Sequence, residues 1–145
     1  MNTKPAFVAL MLGQALVAAN VSAACVAGNI AGTWYTHAAF FDYTGASGGD
    51  WVRCKLLVNS AGGVSTTASQ CRLSSGTSLT VSTGTLRVST GCVVSGSVTT
   101  ARNGAAFLRM AVQYGQMDAS HRSFSALGYD SARAQWKFML QAVQQ

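Results

Sequence analysis

The 145-residue chain contains no glutamate. Its four carboxylates are Asp42, Asp50, Asp118 and Asp130, and only 10% of its residues are charged. A coiled coil needs abundant Glu and Lys, and a disordered, solvating chain needs more charge and fewer aromatics, so both classes are excluded. The length excludes a multidomain enzyme and leaves room for one domain with a modest core. Paired carboxylates at useful spacing, a phosphate-binding loop, a Gly-x-Ser-x-Gly elbow and any Cys-x-x-Cys pair are also missing. The two histidines, His37 and His121, stand far from each other and from the cysteines along the chain, and read as surface or groove residues. Ser120, His121 and Asp118 form a triad on paper, but sequence neighbours rarely take triad geometry. The expectation is a protein that binds rather than catalyses, with no catalytic residue, metal or cofactor.

What is present begins with Lys4, followed by the apolar runs Ala6 to Leu12 and Ala15 to Ala19, and then Val21-Ser22-Ala23. A positive start, an apolar stretch and small residues at −3 and −1 predict a secretion signal over 1–23, leaving a single domain over 24–145. Gly13, Gln14 and Asn20 interrupt the run. It therefore falls short of the ~20 apolar residues of a membrane span. Ala23-Ala24-Cys25 also looks like the end of a lipoprotein signal, which would put a lipid on Cys25 and the protein on an outer membrane. Ser22, where that pattern wants an aliphatic residue, argues for the periplasm or the exterior instead. Removing Lys4 with the signal lowers the net charge from +6 to +5.

Cys25, Cys54, Cys71 and Cys92 all lie beyond the signal, and an even count in a small exported domain predicts two disulfides. Gly62-Gly63 is a hairpin signal, because a two-residue turn of the primed type needs positive φ. With those glycines as the loop, Cys54 faces Cys71 at a non-hydrogen-bonded pair, where Cα atoms sit ~4.5 Å apart. Cys25 then pairs with Cys92.

Apolar residues recur with period two, and the breakers come often. Strands are expected over Thr33–Tyr43, Trp51–Val58, Ser65–Leu73, Ser78–Thr83, Thr85–Ser89, Cys92–Thr100, Ala106–Tyr114, Ser123–Tyr129 and Gln135–Val143. A turn at Thr83-Gly84 sets Val81 against Leu86, and one at Asn103-Gly104 sets Thr99 against Leu108. The segment from Ala132 to Val143 also fits a short amphipathic helix, although Trp136-Lys137-Phe138 favours strand. From Ser60 to Thr100, 19 of 41 residues are Ser or Thr, which suits a solvent-facing β surface; no regular Thr-x-Thr repeat of the ice-binding kind is present. The fold expected is all-β: a single antiparallel up-and-down barrel or a β-sandwich of about eight strands.

Ala27-Gly28-Asn29-Ile30-Ala31-Gly32-Thr33-Trp34-Tyr35 resembles the first strand of the calycin barrels, the lipocalin and avidin-like proteins. The resemblance covers about a dozen residues. It implies that Trp34 closes the barrel base and that a basic residue of the last strand, Arg133 or Lys137, lies over it. The later Trp motifs of a biotin pocket do not recur around Trp51 or Trp136.

Two candidate sites follow. In the register above Arg53 opposes Arg72 and Lys55 opposes Gln70, and two arginines directly opposed on one face repel unless an anion or Asp50 lies between them. Arg53, Lys55 and Arg72 are the candidate anion site. An interior lined by Trp34, Phe40, Leu108, Met110, Tyr114 and Phe138 is the candidate for a small apolar ligand. The leading function is an exported binding module for a protein or an anionic glycan, with a calycin-like carrier or a surface-assembly subunit as alternatives. No nucleic-acid partner is expected, because basic and aromatic residues do not interleave.

Overall fold

Alternation of buried and exposed side chains runs along almost every strand of the computed structural model, which describes residues 24–45 and 49–145. The expected secretion signal, 1–23, lies outside these residues. In β1 (Gly32–Asp42), Trp34, Thr36, Ala38 and Phe40 point inward; in β2 (Asp50–Val58), Val52, Cys54, Leu56 and Val58 do so, with Arg53 and Lys55 outside. Successive Cβ atoms of a strand point to opposite faces, so period-two sequences build one apolar face and one polar face. The remaining strands are β3 (Gln70–Leu73), β4 (Ser78–Val88), β5 (Val93–Arg102), β6 (Ala105–Met117), β7 (Ser123–Asp130) and β8 (Arg133–Gln144).

Each strand pairs antiparallel with the next, and β1 pairs with β8 from Trp34 opposite Gln144 to Asp42 opposite Trp136. The sheet closes on itself: the fold is a barrel, not a sandwich. Eight strands make a barrel just wide enough for side chains to fill. One end is covered by a 3-10 turn, Ala27–Ile30, whose Ile30 is buried. The Trp34 indole N–H donates to the Ile30 carbonyl at 2.7 Å, and its ring meets Phe124 at 5.0 Å. Both disulfides form as expected, Cys25–Cys92 and Cys54–Cys71, the latter with Cα atoms 4.0 Å apart. A lipid on Cys25 would require the sulfur that this disulfide occupies.

Several local expectations are overturned. Residues 83–84 make no turn; β4 runs through them with a register shift between Val81 and Thr83, so Leu86 opposes Gly96 rather than Val81. Asn103-Gly104 does form a two-residue turn, with φ of 52° and 80° and Arg102 opposite Ala105. A bulge between Thr100 and Ala101 then places Thr99 against Arg109 instead of Leu108. The buried Thr100 hydroxyl accepts the Leu108 N–H at 3.3 Å beside this bulge. The C-terminal segment is strand from Arg133 to Gln144, as Trp136-Lys137-Phe138 favours. The expected strand over Ser65–Leu73 survives only as Gln70–Leu73.

The reason for the short β3 is the loop before it. Val58 bridges Val64, Gly63 bridges Thr85, and the Leu86 N–H donates to the Gly62 carbonyl at 2.8 Å, so the β2–β3 loop lies along β4 and covers an edge that β3 is too short to reach. Gly62 has φ +86°, and a Cβ there would collide with the Leu86 carbonyl oxygen. Gly62→Ala should therefore cost about 2–3 kcal/mol, as a non-glycine residue forced into positive φ with its loop displaced. Urea unfolding measures this, and a change under about 0.5 kcal/mol would show that the loop does not hold that edge. Gly96, at φ +133°, is constrained in the same way, since a Cβ on it would collide with the Thr85 carbonyl oxygen.

Candidate functional site

The outer face of β1, β2, β3 and β4 carries the basic group. Arg53 opposes Arg72 and Lys55 opposes Gln70, as the sequence register predicts. On the other side of β2, His37 opposes Arg53 and Tyr35 opposes Lys55. The row His37, Arg53, Arg72, Ser78 thus crosses four adjacent strands. Neighbouring strands are ~4.8 Å apart and residues i and i+2 about 7 Å apart, so backbone geometry gathers the three cations into one small area. They line a shallow groove of about 460 Å³ with Tyr35, Gln70 and Ser78.

Each arginine is steered by a different contact. The Arg53 guanidinium lies 4.9 Å from the Trp51 ring centre, and Trp51 meets His37 edge-on at 5.5 Å. Arg72 Nε donates to the Gly76 carbonyl at 3.0 Å. Asp50 does not come between them: its carboxylate accepts from the Ser74 hydroxyl and from the Trp51 N–H. Among the described residues, none of the three cations sits in an ion pair. Like charges directly opposed across two strands repel and destabilise the pairing. A bound anion turns that repulsion into attraction.

The interior is different. Trp34, Phe40, Leu108, Met110 and Phe138 are all buried in the core, packed with so little slack that the void among Thr36, Leu56, Leu86, Met110, Phe124 and Phe138 measures about 20 Å³. That holds about one water. A second void of about 50 Å³ lies toward the opposite end, beside Trp136 and Phe107. Tyr114 is not an interior residue: it is 66% exposed. A register shift between Val112 and Tyr114 inverts the strand there, so Gly115 and Met117 point inward in its place. Tyr114 instead joins a lateral row on the outer surface with Leu127, Met139 and Ala39, along an apolar groove of about 690 Å³. Sequence alternation alone hides this row, because bulges carry no compositional signal.

Neither basic residue expected over Trp34 reaches it. Arg133 pairs with Asp130 at 2.8 Å and lies 5.1 Å from the Trp136 ring, while Lys137 sits between the rings of Tyr43 and Tyr129. Both belong to the first half of β8, whereas Trp34 pairs with Gln144 at its other end.

The paper triad also dissolves. The Ser120 hydroxyl donates to Asp118 at 2.6 Å, so the serine is bonded directly to the acid. That hydroxyl first of all holds the Asp118 carboxyl below its ordinary range; burial, the next largest influence, opposes it, and the N–H groups of Ser123 and Arg122 add to the lowering. His121 meanwhile lies close to Cys25 and Cys92 despite its distance in the chain. Comparison with protein-family models, with curated proteins and with solved structures finds no match for this chain. The fold is compatible with the calycin architecture on its own geometry, and two disulfides suit an oxidising compartment. No helix among the described residues is long and apolar enough to cross a membrane.

Proposed function

We propose that this chain is an exported, non-catalytic binding module that holds an anionic glycan on the outer face of its barrel, at Arg53, Lys55 and Arg72. The observation that carries the reading is the direct opposition of Arg53 and Arg72 without a neutralising carboxylate. Natural sheets avoid opposed like charges unless something else compensates them. Tyr35, exposed beside the cations, supplies flat apolar surface on which a sugar ring stacks. The filled interior supports an outer-face site over a carrier role, because voids of about 20 and 50 Å³ are too small for an apolar ligand. The reading of a calycin-like, secreted protein rests on the Gly32-Thr33-Trp34-Tyr35 opening, the 3-10 turn beneath it and the two disulfides.

The test is retention on immobilised heparin, a stand-in for an anionic envelope or matrix glycan. The Arg53→Ala, Arg72→Ala double variant should bind roughly tenfold or more weakly, since each exposed charge contact is worth up to ~1 kcal/mol. An Arg102→Ala, Arg122→Ala variant has the same net charge and should elute close to the parent protein. Equal losses in the two variants would reduce the effect to net charge and sink the site. Retention on an unrelated protein partner but not on heparin would select the protein-binding alternative.

A further inference from the structure

The covered end of the barrel gathers soft donor atoms that the glycan reading leaves unused. Cys25 Sγ, Cys92 Sγ and a ring nitrogen of His121 all lie within 4.8 Å of one another. Met117 Sδ is 4.0 Å from Cys25 Sγ. These four residues come from separate parts of the chain: the segment before the 3-10 turn, the β4–β5 loop, the end of β6 and the β6–β7 loop. Cys25, Cys92 and Met117 are buried, and His121 is half-exposed at the rim.

Two of the four are presented by unusual backbone. Among the described residues, three that are not glycine have positive φ: Asn103, accounted for by its two-residue turn, Cys92 at 62° and His121 at 59°. Cys92 ends the Thr90-Gly91-Cys92 loop that Ser89 and Val93 close. In three-residue hairpin loops that left-handed position is the one glycine fills by default, and here glycine stands one place earlier. Left-handed backbone at a bulky residue costs of order 1–3 kcal/mol and persists where the surroundings impose it. A disulfide staple accounts for the position of Cys92 but not for a thioether and an imidazole converging on the same sulfurs.

We infer that, once the Cys25–Cys92 bond is reduced, Cys25, Cys92, Met117 and His121 form a binding site for one Cu(I) ion. Thiolate and thioether donors select soft ions, and imidazole suits copper as well. The change of state balances simply. A dithiol reductant delivers two electrons and two protons to the Cys25–Cys92 bond and leaves as its own disulfide; Cu(I) then forms two copper–sulfur bonds and displaces the two thiol protons. The same end of the barrel is a staple when oxidised and a metal site when reduced.

The experiment reduces the purified protein anaerobically with dithiothreitol, removes the reductant and titrates Cu(I) against bicinchoninate. The result expected is one tightly held Cu(I) per chain beyond that of the unreduced protein. His121→Ala and Met117→Leu should each weaken it about tenfold or more. Cys25→Ser with Cys92→Ser should abolish it, and Cys54→Ala with Cys71→Ala should leave it intact. X-ray absorption of the complex should show sulfur ligands together with one nitrogen. Unchanged affinity in both His121→Ala and Met117→Leu overturns the proposal. So does copper uptake that follows Cys54 and Cys71, or a reduced chain whose β circular dichroism is lost and does not return on adding Cu(I).

Discussion

Trp34→Ala should destabilise the barrel by about 3–5 kcal/mol, the usual cost of deleting a fully buried aromatic. The indole is 0% exposed and stands between the core and the 3-10 turn below it. Its loss removes the packing against Phe124, leaves the Ile30 carbonyl without the indole donor, and detaches the turn that covers this end of the barrel. In a domain of this size that corresponds to a fall in Tm of roughly 15 °C. Trp34→Phe keeps most of the volume and loses the hydrogen bond, so it should recover more than half of the deficit. Thermal unfolding of both variants checks the pair. Equal losses would mean that the hydrogen bond to Ile30 matters more than the volume of the ring.

Asp130→Ala should cost about 3 kcal/mol, although the residue lies on β7, away from Arg53, Lys55 and Arg72 on β2 and β3. Its carboxylate is wholly buried and accepts three hydrogen bonds, from the Arg109 and Ala132 N–H groups at 3.2 and 3.0 Å and from Arg133 Nε at 2.8 Å, and a terminal guanidinium nitrogen of Arg133 completes the ion pair at 2.8 Å. Truncation leaves the two backbone donors poorly satisfied at the β7–β8 turn, where a bulge already separates Tyr129 from Asp130. The Arg133 side chain is 39% exposed and can turn to water. The reverse variant, Arg133→Ala, has no such escape, because the carboxylate that remains is enclosed. Arg133→Ala should therefore be at least as damaging as Asp130→Ala. Urea denaturation of the two decides this, and an Arg133→Ala variant clearly more stable than Asp130→Ala would overturn the assignment of Asp130 as the enclosed partner.

The sequence made some of this architecture legible through strict alternation. Val52, Cys54, Leu56 and Val58 on one face and Arg53 and Lys55 on the other define β2 and its orientation, and Phe138, Leu140 and Ala142 do the same for β8. The Cys54–Cys71 rung and the opposed arginines follow from the correct register, yet the turn behind that register is not the one expected. Near the tip Val58 faces Val64, a pairing three residues out of step with Cys54 opposite Cys71. The residues between Ser65 and Ser69 absorb the difference, with the Ser69 hydroxyl accepting the Leu57 N–H at 2.9 Å. Bulges were not legible. An extra residue in a strand leaves its composition unchanged but reverses every side chain beyond it, which is why Tyr114 emerges on the surface. Proximity in space was equally hidden for His121, whose approach to Cys25 and Cys92 depends on two loops meeting at one barrel end.

Closure of the sheet has a consequence for how the chain acquires its structure. β1 is hydrogen-bonded on one side to β2, its neighbour in sequence, and on the other to β8, about a hundred residues later. Chain emerging from the ribosome or a translocation pore in N-to-C order carries an open strand edge on β1 until β8 follows it. Through that interval the inward faces of the earlier strands have no enclosed core to join, and pairings so distant in sequence form slowly. A polypeptide built this way is vulnerable to sticking to its own copies while it is incomplete. The Ser- and Thr-rich middle strands, poor in large apolar side chains, lessen that hazard during the wait.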